Sequence, residues 1–79
     1  MKKVVVNLNE IKKVNWFVQE VTSFESDIDL VSGRYVIDAK SIMGIFSLDL
    51  SKPIEVVIDS DNEAEINRFA EVMKKYQPD

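Results

Sequence analysis

"KSIMGIFSL", residues 40–48, is the stretch of this chain that most constrains its fold, because it is too short for a membrane-spanning helix and too apolar for an ordinary surface helix. Successive residues of a helix are separated by about 100°, so its large apolar side chains surround most of the helix and cannot all face one sheet. They are Ile42, Met43, Ile45, Phe46 and Leu48. Two interpretations stay open: the helix closes the edge of a small sheet, or its exposed side chains form a docking surface for another protein.

Strand patterns lie on both sides of this short helix. Residues 27–38, "DIDLVSGRYVID", predict two short strands joined by a tight turn at Ser32-Gly33, where a glycine can adopt a positive φ. Residues 54–59, "IEVVID", predict a last strand, because Ile54, Val56 and Ile58 alternate with Glu55, Val57 and Asp59. Pro53 marks the start of this strand.

The N-terminal part of the chain predicts a strand and then an amphipathic helix. The strand pattern is the alternation of Val4, Val6 and Leu8 with Val5 and Asn7. The helix is predicted from apolar residues at positions i, i+3, i+4 and i+7, and it reaches Phe24 after about three turns, with Trp16 on its outer side. These apolar residues are Val14, Phe17, Val18 and Val21.

A last helix is predicted over about residues 61–76. Ser60 and Glu63 fit a capping box, and the acidic first turn and the Lys74-Lys75 pair near the end complement the helix dipole. Its buried stripe is predicted to be Ile66, Phe69, Ala70 and Met73. The resulting β-α-β-β-α-β-α order predicts an α+β protein with a four-stranded antiparallel sheet and three helices on one face, as one domain spanning residues 1–79.

The composition excludes most enzyme classes. The 79 residues include no histidine and no cysteine, so the usual groups for proton transfer near neutral pH, for thiolate chemistry and for transition-metal binding are absent. We therefore expect a protein that is not an enzyme and that uses no metal and no cofactor. Without cysteines there is no sign of an oxidising compartment, so the expected location is cytoplasmic.

The charge and hydropathy patterns bear on possible partners. A net charge of −4 opposes non-specific attraction to phosphate backbones, so we expect no nucleic-acid partner. The N-terminus, "MKKVVVNLNE", has three consecutive apolar residues before polarity returns, which is far short of a signal peptide or a spanning helix. We expect no association with a membrane.

Ser41 stands at the predicted start of the short helix. A serine at this position commonly accepts a hydrogen bond from a free backbone N–H group, and this structural role needs no further function. A helix N-terminus is also where a phosphate group is best tolerated, since unpaired N–H groups and the positive dipole end stabilise its negative charge. A phosphate there would change the polarity of the surface formed by Ile42 and Met43.

The runs "AKSIMGIFSL", "FVQE" and "FESDIDL" resemble the HPr family of the bacterial sugar phosphotransferase system, and within it the HPr-like variants of catabolite repression. The resemblance extends from about Ile11 to Ile58 and implies the HPr open-faced β-sandwich. The K-S-I-M-G run is similar to the family's regulatory serine site, where HPr kinase/phosphorylase uses ATP. The resemblance thus implies phosphorylation of Ser41.

The same resemblance places Glu10, Ile11, Lys12 and Lys13 where the family has an H-A-R-P run, whose histidine is the phosphocarrier residue. Since the chain has no histidine, it cannot carry a phosphoryl group on an imidazole. Three roles remain open for Glu10: a solvated surface residue, a fixed negative charge in place of a phosphohistidine, or an acyl-phosphate carrier. The last of these ordinarily relies on a metal ion and on charge-neutralising groups.

The resemblance also implies a docking surface. Lys12 takes the place of the family's phosphate-contacting arginine, and the alternative for Lys12 and Lys13 is that they are solvated lysines of the first turn. Ile42, Met43 and Phe46 match the family's partner-binding positions, which leaves Ile45 and Leu48 facing the sheet. Trp16 either extends this surface or is an isolated exposed aromatic residue.

The function implied is that of a regulatory protein. Its expected partners are HPr kinase/phosphorylase and either a catabolite-control transcription factor or a metabolic enzyme. Two alternatives remain: an HPr-fold binding module without phosphorylation, and a phosphocarrier that works through Glu10.

Overall fold

The computed structural model describes residues 1–78 and has the predicted order of elements. The strands are β1 (Lys2–Val6), β2 (Asp27–Ser32), β3 (Tyr35–Asp38) and β4 (Ile54–Asp59). The helices are α1 (Ile11–Thr22), α2 (Ile42–Phe46) and α3 (Glu63–Met73), and α3 continues into a short 3-10 helix, Lys74–Tyr76. Asp79, the last residue of the predicted domain, lies outside the described residues.

The four strands form one antiparallel sheet in the order β1-β4-β2-β3. Strand β4 therefore lies inside the sheet although it is the last strand in the chain, and its Val56 pairs with Val4 on one side and with Leu30 on the other. The helices cover one face of the sheet and leave the other open. The prediction of an α+β open-faced sandwich is confirmed.

The core lies between the covered face of the sheet and the helices. Alternate residues of β4 face it, so Ile54, Val56 and Ile58 are at most 2% exposed while Glu55 and Asp59 remain in solvent. Burial of each such aliphatic side chain contributes about 1.5–3 kcal/mol relative to leaving it in water. The other buried residues are Val6, Leu8, Val14, Phe17, Val21, Phe24, Ile28, Leu30, Ala39, Ile45, Phe69, Met73 and Tyr76.

Helix α1 is shorter than predicted and ends at Thr22 instead of Phe24. Its last turn tightens, since the Ser23 N–H donates to the Glu20 carbonyl and the Ser23 hydroxyl donates to the same oxygen at 2.6 Å. Such local side-chain bonds compete with the continuing helix. Phe24 is still buried, in edge-to-face contact with Phe69.

The turn between β2 and β3 lies one residue later than predicted. Ser32 pairs with Tyr35, so the two turn residues are Gly33 and Arg34. Gly33 has a φ of 58°, a conformation in which side chains of L-residues are strained. The glycine is therefore at the position of the turn that requires it.

The predicted capping box at the start of α3 is wrong, because Asn62 is the capping residue. Its Oδ1 accepts the N–H groups of Ala64 and Glu65 at 2.9 and 3.2 Å. The Ser60 hydroxyl oxygen accepts the Asn62 N–H at 3.0 Å and thus stabilises the preceding turn. Asparagine caps helices as well as serine does, so the residue nearer to the first helical turn is the one that does so.

The C-terminal 3-10 helix is fixed to the rest of the protein through Tyr76. The ring of Tyr76 lies edge-on to Phe17, with 5.6 Å between the ring centroids, and its hydroxyl donates to Glu20 Oε1 at 2.5 Å. The Asn7 N–H donates to the Tyr76 carbonyl at 2.6 Å. Among residues 1–78, no helix has the length and apolar character needed to cross a membrane.

Candidate functional site

Ser41 caps the N-terminus of α2, as the sequence predicts. Its hydroxyl oxygen accepts the Gly44 N–H at 3.3 Å, and its own N–H donates to the Asp38 carbonyl at 3.0 Å. The residue is exposed. The hydroxyl therefore holds the first turn of the helix and is at the same time open to solvent.

The packing of α2 separates its apolar side chains into two groups. Ile45 is completely buried and Leu48 is partly buried against the core, whereas Met43 is 79% exposed and Phe46 is 44% exposed. Ile42 lies between the two groups, since it is partly buried and packs against the core. Met43 and Phe46 are thus the two exposed members of the predicted docking set on α2.

Glu10 and Lys12 lie together at the start of α1. The Glu10 Oε2 is 3.7 Å from the Lys12 Nζ, and both side chains are exposed. Glu10 occupies the capping position with extended backbone angles, but its side chain accepts no capping hydrogen bond. An exposed pair of this kind is worth about 0–1 kcal/mol, so it orients the two charges without holding them rigidly.

Trp16 extends from the same helix one turn after Lys12. It is 50% exposed, and the Lys12 Nζ lies 5.9 Å from the centroid of its ring system. This distance is at the limit of a cation–π contact. The structure therefore brings Glu10, Lys12 and Trp16 to one end and one side of α1.

A shallow groove of about 470 Å³ separates the start of α1 from the end of α2. We call it the Ile11–Phe46 groove, after the exposed apolar side chains on its two walls. Ile11 is 71% exposed, more than Trp16 or Phe46. The groove is lined by Leu8, Asn9, Glu10, Ile11, Phe46, Leu50 and Ser51.

Ile11 is the residue of this surface that the sequence reasoning missed. It stands three positions before Val14, so its helical phase assigns it to the buried stripe of α1. It is exposed because it opens the first turn. The sequence signal that could have identified it is a large apolar residue within the otherwise charged residues 10–13, "EIKK".

Lys40 is adjacent to Ser41 in the chain, but its side chain binds backbone groups of the segment before β2. The ammonium group donates to the carbonyls of Phe24 at 2.8 Å and Ser26 at 3.1 Å. The start of α2 is thereby joined to the segment that leads into β2. Lys40 is thus a structural residue of this site, and Lys12 remains a solvent-exposed cation near the start of α1.

The loop after α2 adds a negative charge near the groove. Two hydrogen bonds from Ser51, one from its hydroxyl and one from its N–H, hold the pKa of the Asp49 carboxyl below its ordinary value. Lys52 favours the ionised form further. Asp49 is therefore an anion at neutral pH.

Within residues 1–78 no three carboxylates converge closely enough to hold a metal ion.

A capped short helix with exposed apolar residues, set beside the start of α1 on an open-faced sandwich, is the arrangement that the resemblance to the HPr family implies. The family model described as the PTS HPr component phosphorylation site matches residues 10–76. The chain therefore belongs to the PTS-HPr family, whose members are phosphocarrier proteins that interact with protein partners.

Solved structures show the same fold over nearly the whole chain. The HPr-C-His structure from Thermoanaerobacter tengcongensis superimposes with a TM-score of 0.74 at 26% identity, covering 95% of this chain and 93% of that one. The phosphocarrier protein HPr from Bacillus anthracis str. Ames gives a TM-score of 0.66 at 31% identity, covering 92% and 94%. The HPr-like fold is confirmed.

Among curated proteins, the HPr-like protein Crh of Bacillus subtilis (strain 168) is similar. The two sequences are 43% identical over 49 residues, which is 62% of this chain. The matched segment spans 58% of Crh, less than two thirds of its length. The family model over residues 10–76, which this likeness accompanies, makes the chain an HPr-like protein of the phosphotransferase-system family.

Proposed function

We propose that this protein is a regulatory HPr-like protein that is phosphorylated on Ser41 and docks to other proteins through the surface around α2. The observation that carries the proposal is the exposed Ser41 hydroxyl at the start of a helix whose Met43 and Phe46 side chains face solvent. A modifiable polar group and an apolar contact surface thus lie within two turns of one helix.

The chemistry proposed at Ser41 is transfer of the terminal phosphoryl group of ATP. The Ser41 oxygen forms the new P–O bond, its proton passes to a base of the kinase, and ADP leaves. The phosphate then stands next to the Gly44 N–H, which already points at the Ser41 oxygen. A backbone N–H and the positive end of the helix both stabilise the added negative charge.

The carrier function of the family is proposed to be lost. The resemblance to the family puts Glu10 at the position of the phosphorylated histidine, and the 79 residues contain no histidine to replace it. The Glu10 carboxylate instead forms an exposed ion pair with Lys12. We interpret Glu10 as a fixed charge on the docking surface, with Lys12 as the group that a partner's acidic residues or the phosphate on Ser41 would contact.

The proposed partners are HPr kinase/phosphorylase, which modifies Ser41, and a catabolite-control transcription factor or a metabolic enzyme, which binds the modified form. Met43 and Phe46 would pack into the partner, with Trp16 and Ile42 at the border of the contact. A cytoplasmic location belongs to this proposal, because the modifying reaction uses ATP.

The decisive experiment is incubation of the protein with an HPr kinase/phosphorylase and ATP, followed by intact-mass measurement. We expect one added phosphoryl group on the wild type and on Ser47→Ala, and none on Ser41→Ala. Ser47 is a suitable control because it is an exposed serine at the other end of the same helix. If the same kinase adds a phosphoryl group to an ordinary HPr but not to the wild-type protein, the proposal is contradicted.

A second candidate, an HPr-fold binding module without phosphorylation, is favoured by the cap itself. The Ser41–Gly44 hydrogen bond already accounts for a serine at this position. This candidate requires Ser41→Ala to lower stability by about 0.5–2 kcal/mol without changing any interaction.

Glu10→Gln separates the roles of Glu10: if partner binding is unchanged, Glu10 is only a solvated residue.

A further inference from the structure

The face of the sheet that no helix covers has a row of four paired residues, one from each strand, of which three are valines and the one on β4 is Glu55. Val5 stands opposite Glu55, which stands opposite Val31, and Val31 stands opposite Val36. Val36 is 63% exposed and Val5 is 44% exposed. Two edge strands thus present valines to solvent, and Val31 lies between them.

Next to this row lies a set of four carboxylates, which we call the aspartate set: Asp27, Asp29, Asp38 and Asp59. They face each other in register, since Asp29 pairs with Asp38 and Asp27 pairs with Asp59. The ion pairs formed within residues 1–78 include none of the four. Partial burial, followed by the charges of the other three, raises the pKa of the Asp29 carboxyl.

This arrangement opposes the stability of the sheet. Like charges directly opposite each other on neighbouring strands are destabilising, and opposite charges at the same positions would be stabilising. Among the described residues no ion pair compensates this: Asp38 makes only a local bond to the Lys40 N–H, and Lys3, which stands in the same row of the sheet as Asp29, forms no ion pair with the set. An unfavourable pairing of charges without a compensating contact is expected where a surface has a function other than stability.

We propose that the open face of the sheet is a second docking surface, which binds a protein segment that carries both apolar and cationic side chains. The valine row accommodates the apolar side chains, and the aspartate set pairs with lysine or arginine. The charge of the surface identifies the chemistry of the partner, since a positive patch is drawn to a negative one and like charges are rejected. Binding would remove the repulsion that the free protein tolerates.

Two other occupants fit this face less well. A second copy, open face to open face, would bring two aspartate sets together, which is repulsive. A metal ion has no set of three converging carboxylates to hold it within the described residues. The proposal does not depend on phosphorylation of Ser41, because the open face lies on the side of the sheet opposite the helices.

The test is an NMR titration of the full-length 15N-labelled protein at low salt. The probe is a twelve-residue synthetic peptide of alternating valine and lysine, and octalysine serves as the probe of charge alone. We expect amide shifts around Val5, Asp29 and Val36, and weaker binding of octalysine. The double variant Asp29→Asn/Asp38→Asn should bind the peptide about threefold to tenfold more weakly.

Matched variants complete the experiment. Asp61→Asn removes one charge from an exposed acid outside the sheet, and Ile11→Ser removes an exposed apolar side chain on the helical side. Both should bind as the wild type does, whereas Val36→Ser should bind more weakly. Since the open-face substitutions change exposed or half-exposed residues, each variant is expected to fold, and its amide spectrum verifies this.

Four outcomes would overturn the proposal. Equal losses per charge removed from Asp61→Asn and from Asp29→Asn/Asp38→Asn would show diffuse attraction only. Shifts centred on Met43 and Phe46 would assign the peptide to the surface around α2. Calcium chloride alone producing the same shifts would make this face a cation site. A fall in the diffusion coefficient without peptide would make a second copy the occupant.

Discussion

Gly44 of α2 and Ile37 of β3 are in such close contact that a Cβ atom added to the glycine would lie 2.7 Å from the isoleucine Cγ2. That methyl group is attached to the Cβ of a branched side chain and has little freedom to move aside. The absence of a side chain at position 44 therefore sets how closely α2 approaches the edge strand, and with it the position of Ser41.

Gly44→Ala is expected to lower the free energy of unfolding by about 1 kcal/mol. Overpacking costs about 1–3 kcal/mol, and the higher helix propensity of alanine returns about 1 kcal/mol. Urea unfolding measures the change. In an Ile37→Ala background the same substitution should cost nothing, because the contacting methyl is gone. A stabilising effect in the wild type would mean that the two residues are not tightly packed.

Lys40→Met should lower the free energy of unfolding by about 1–2 kcal/mol, because two carbonyl groups lose a charged hydrogen-bond donor. Hydrogen exchange of the Ser26 amide should accelerate modestly, since its segment loses the bonds to Lys40 but keeps the bond from the Ser26 N–H to Glu65 Oε1 at 3.0 Å. Lys52→Met is the control: Lys52 forms one exposed ion pair with Asp49 at 4.0 Å, and its loss should cost less than about 0.5 kcal/mol. Equal effects of the two variants would argue against the role assigned to Lys40.

Tyr76→Phe should make stability less sensitive to alkaline pH. Burial, and then the hydrogen bond to Glu20, raise the pKa of the Tyr76 hydroxyl above its ordinary value of 10.0. Because the folded state favours the protonated hydroxyl, Tyr76 stabilises the folded state at pH values below the ordinary pKa. This stabilisation is lost as the pH rises above that pKa. Melting temperatures between about pH 8 and pH 11 should therefore fall less in the variant than in the wild type.

The matched control for Tyr76 is Tyr35→Phe, which changes a tyrosine that is 66% exposed. This variant should keep the alkaline dependence of the wild type. At neutral pH, Tyr76→Phe should cost about 1 kcal/mol for the lost hydrogen bond. Parallel pH profiles of wild type and Tyr76→Phe would contradict the prediction.

Asp29→Asn should stabilise the free protein at neutral pH by about 0.5 kcal/mol, because it removes a like-charge pair across two strands. The pKa of Asp29 is raised above its ordinary value of 3.8, so its penalty is present at neutral pH and fades as the pH falls toward that value. The difference between variant and wild type should therefore shrink on acidification. Asp61→Asn, followed by the same thermal melts, should show neither effect.

The sequence predicts the strands and the cap of α2 well, because both depend on residues close together in the chain. Ile54, Val56 and Ile58 alternate in sequence and are all buried in the structure. Ser41 precedes the apolar run and does cap it. In both cases the local pattern and the tertiary packing favour the same arrangement.

Features that depend on distant contacts or on a choice between equivalent residues were not predictable. Ser60 and Asn62 are both good capping residues, and only the path of the chain selects Asn62. The bonds of Lys40 reach residues 14 and 16 positions away, and no local pattern announces them. The exposure of Ile11 depends on where α1 begins relative to the sheet.

The candidate site itself could be located only in part by periodicity. Periodicity shows only that the apolar side chains of α2 cannot all face the sheet. The likeness to the HPr family then assigns Met43 to the outer side and leaves Ile45 facing the sheet, and in the structure Met43 is exposed and Ile45 is buried. The roles of Ser41, Lys12 and Glu10 come from the likeness to the HPr family, because nothing in the pattern of charges distinguishes them from solvated residues. Their chemical roles stay predictions until the experiments above are done.

The placement of β4 between β1 and β2 also has a consequence for the growing chain on the ribosome. Until residue 59 has emerged, β1 has no neighbour to bond with, and β2 and β3 exist at most as an isolated hairpin. Translation that stalls before this point would release a fragment with unsatisfied strand edges, which is a target for chaperones and proteases. Synthesis of β4, residues 54–59, is thus the step that gives β1 and β2 the strand between them.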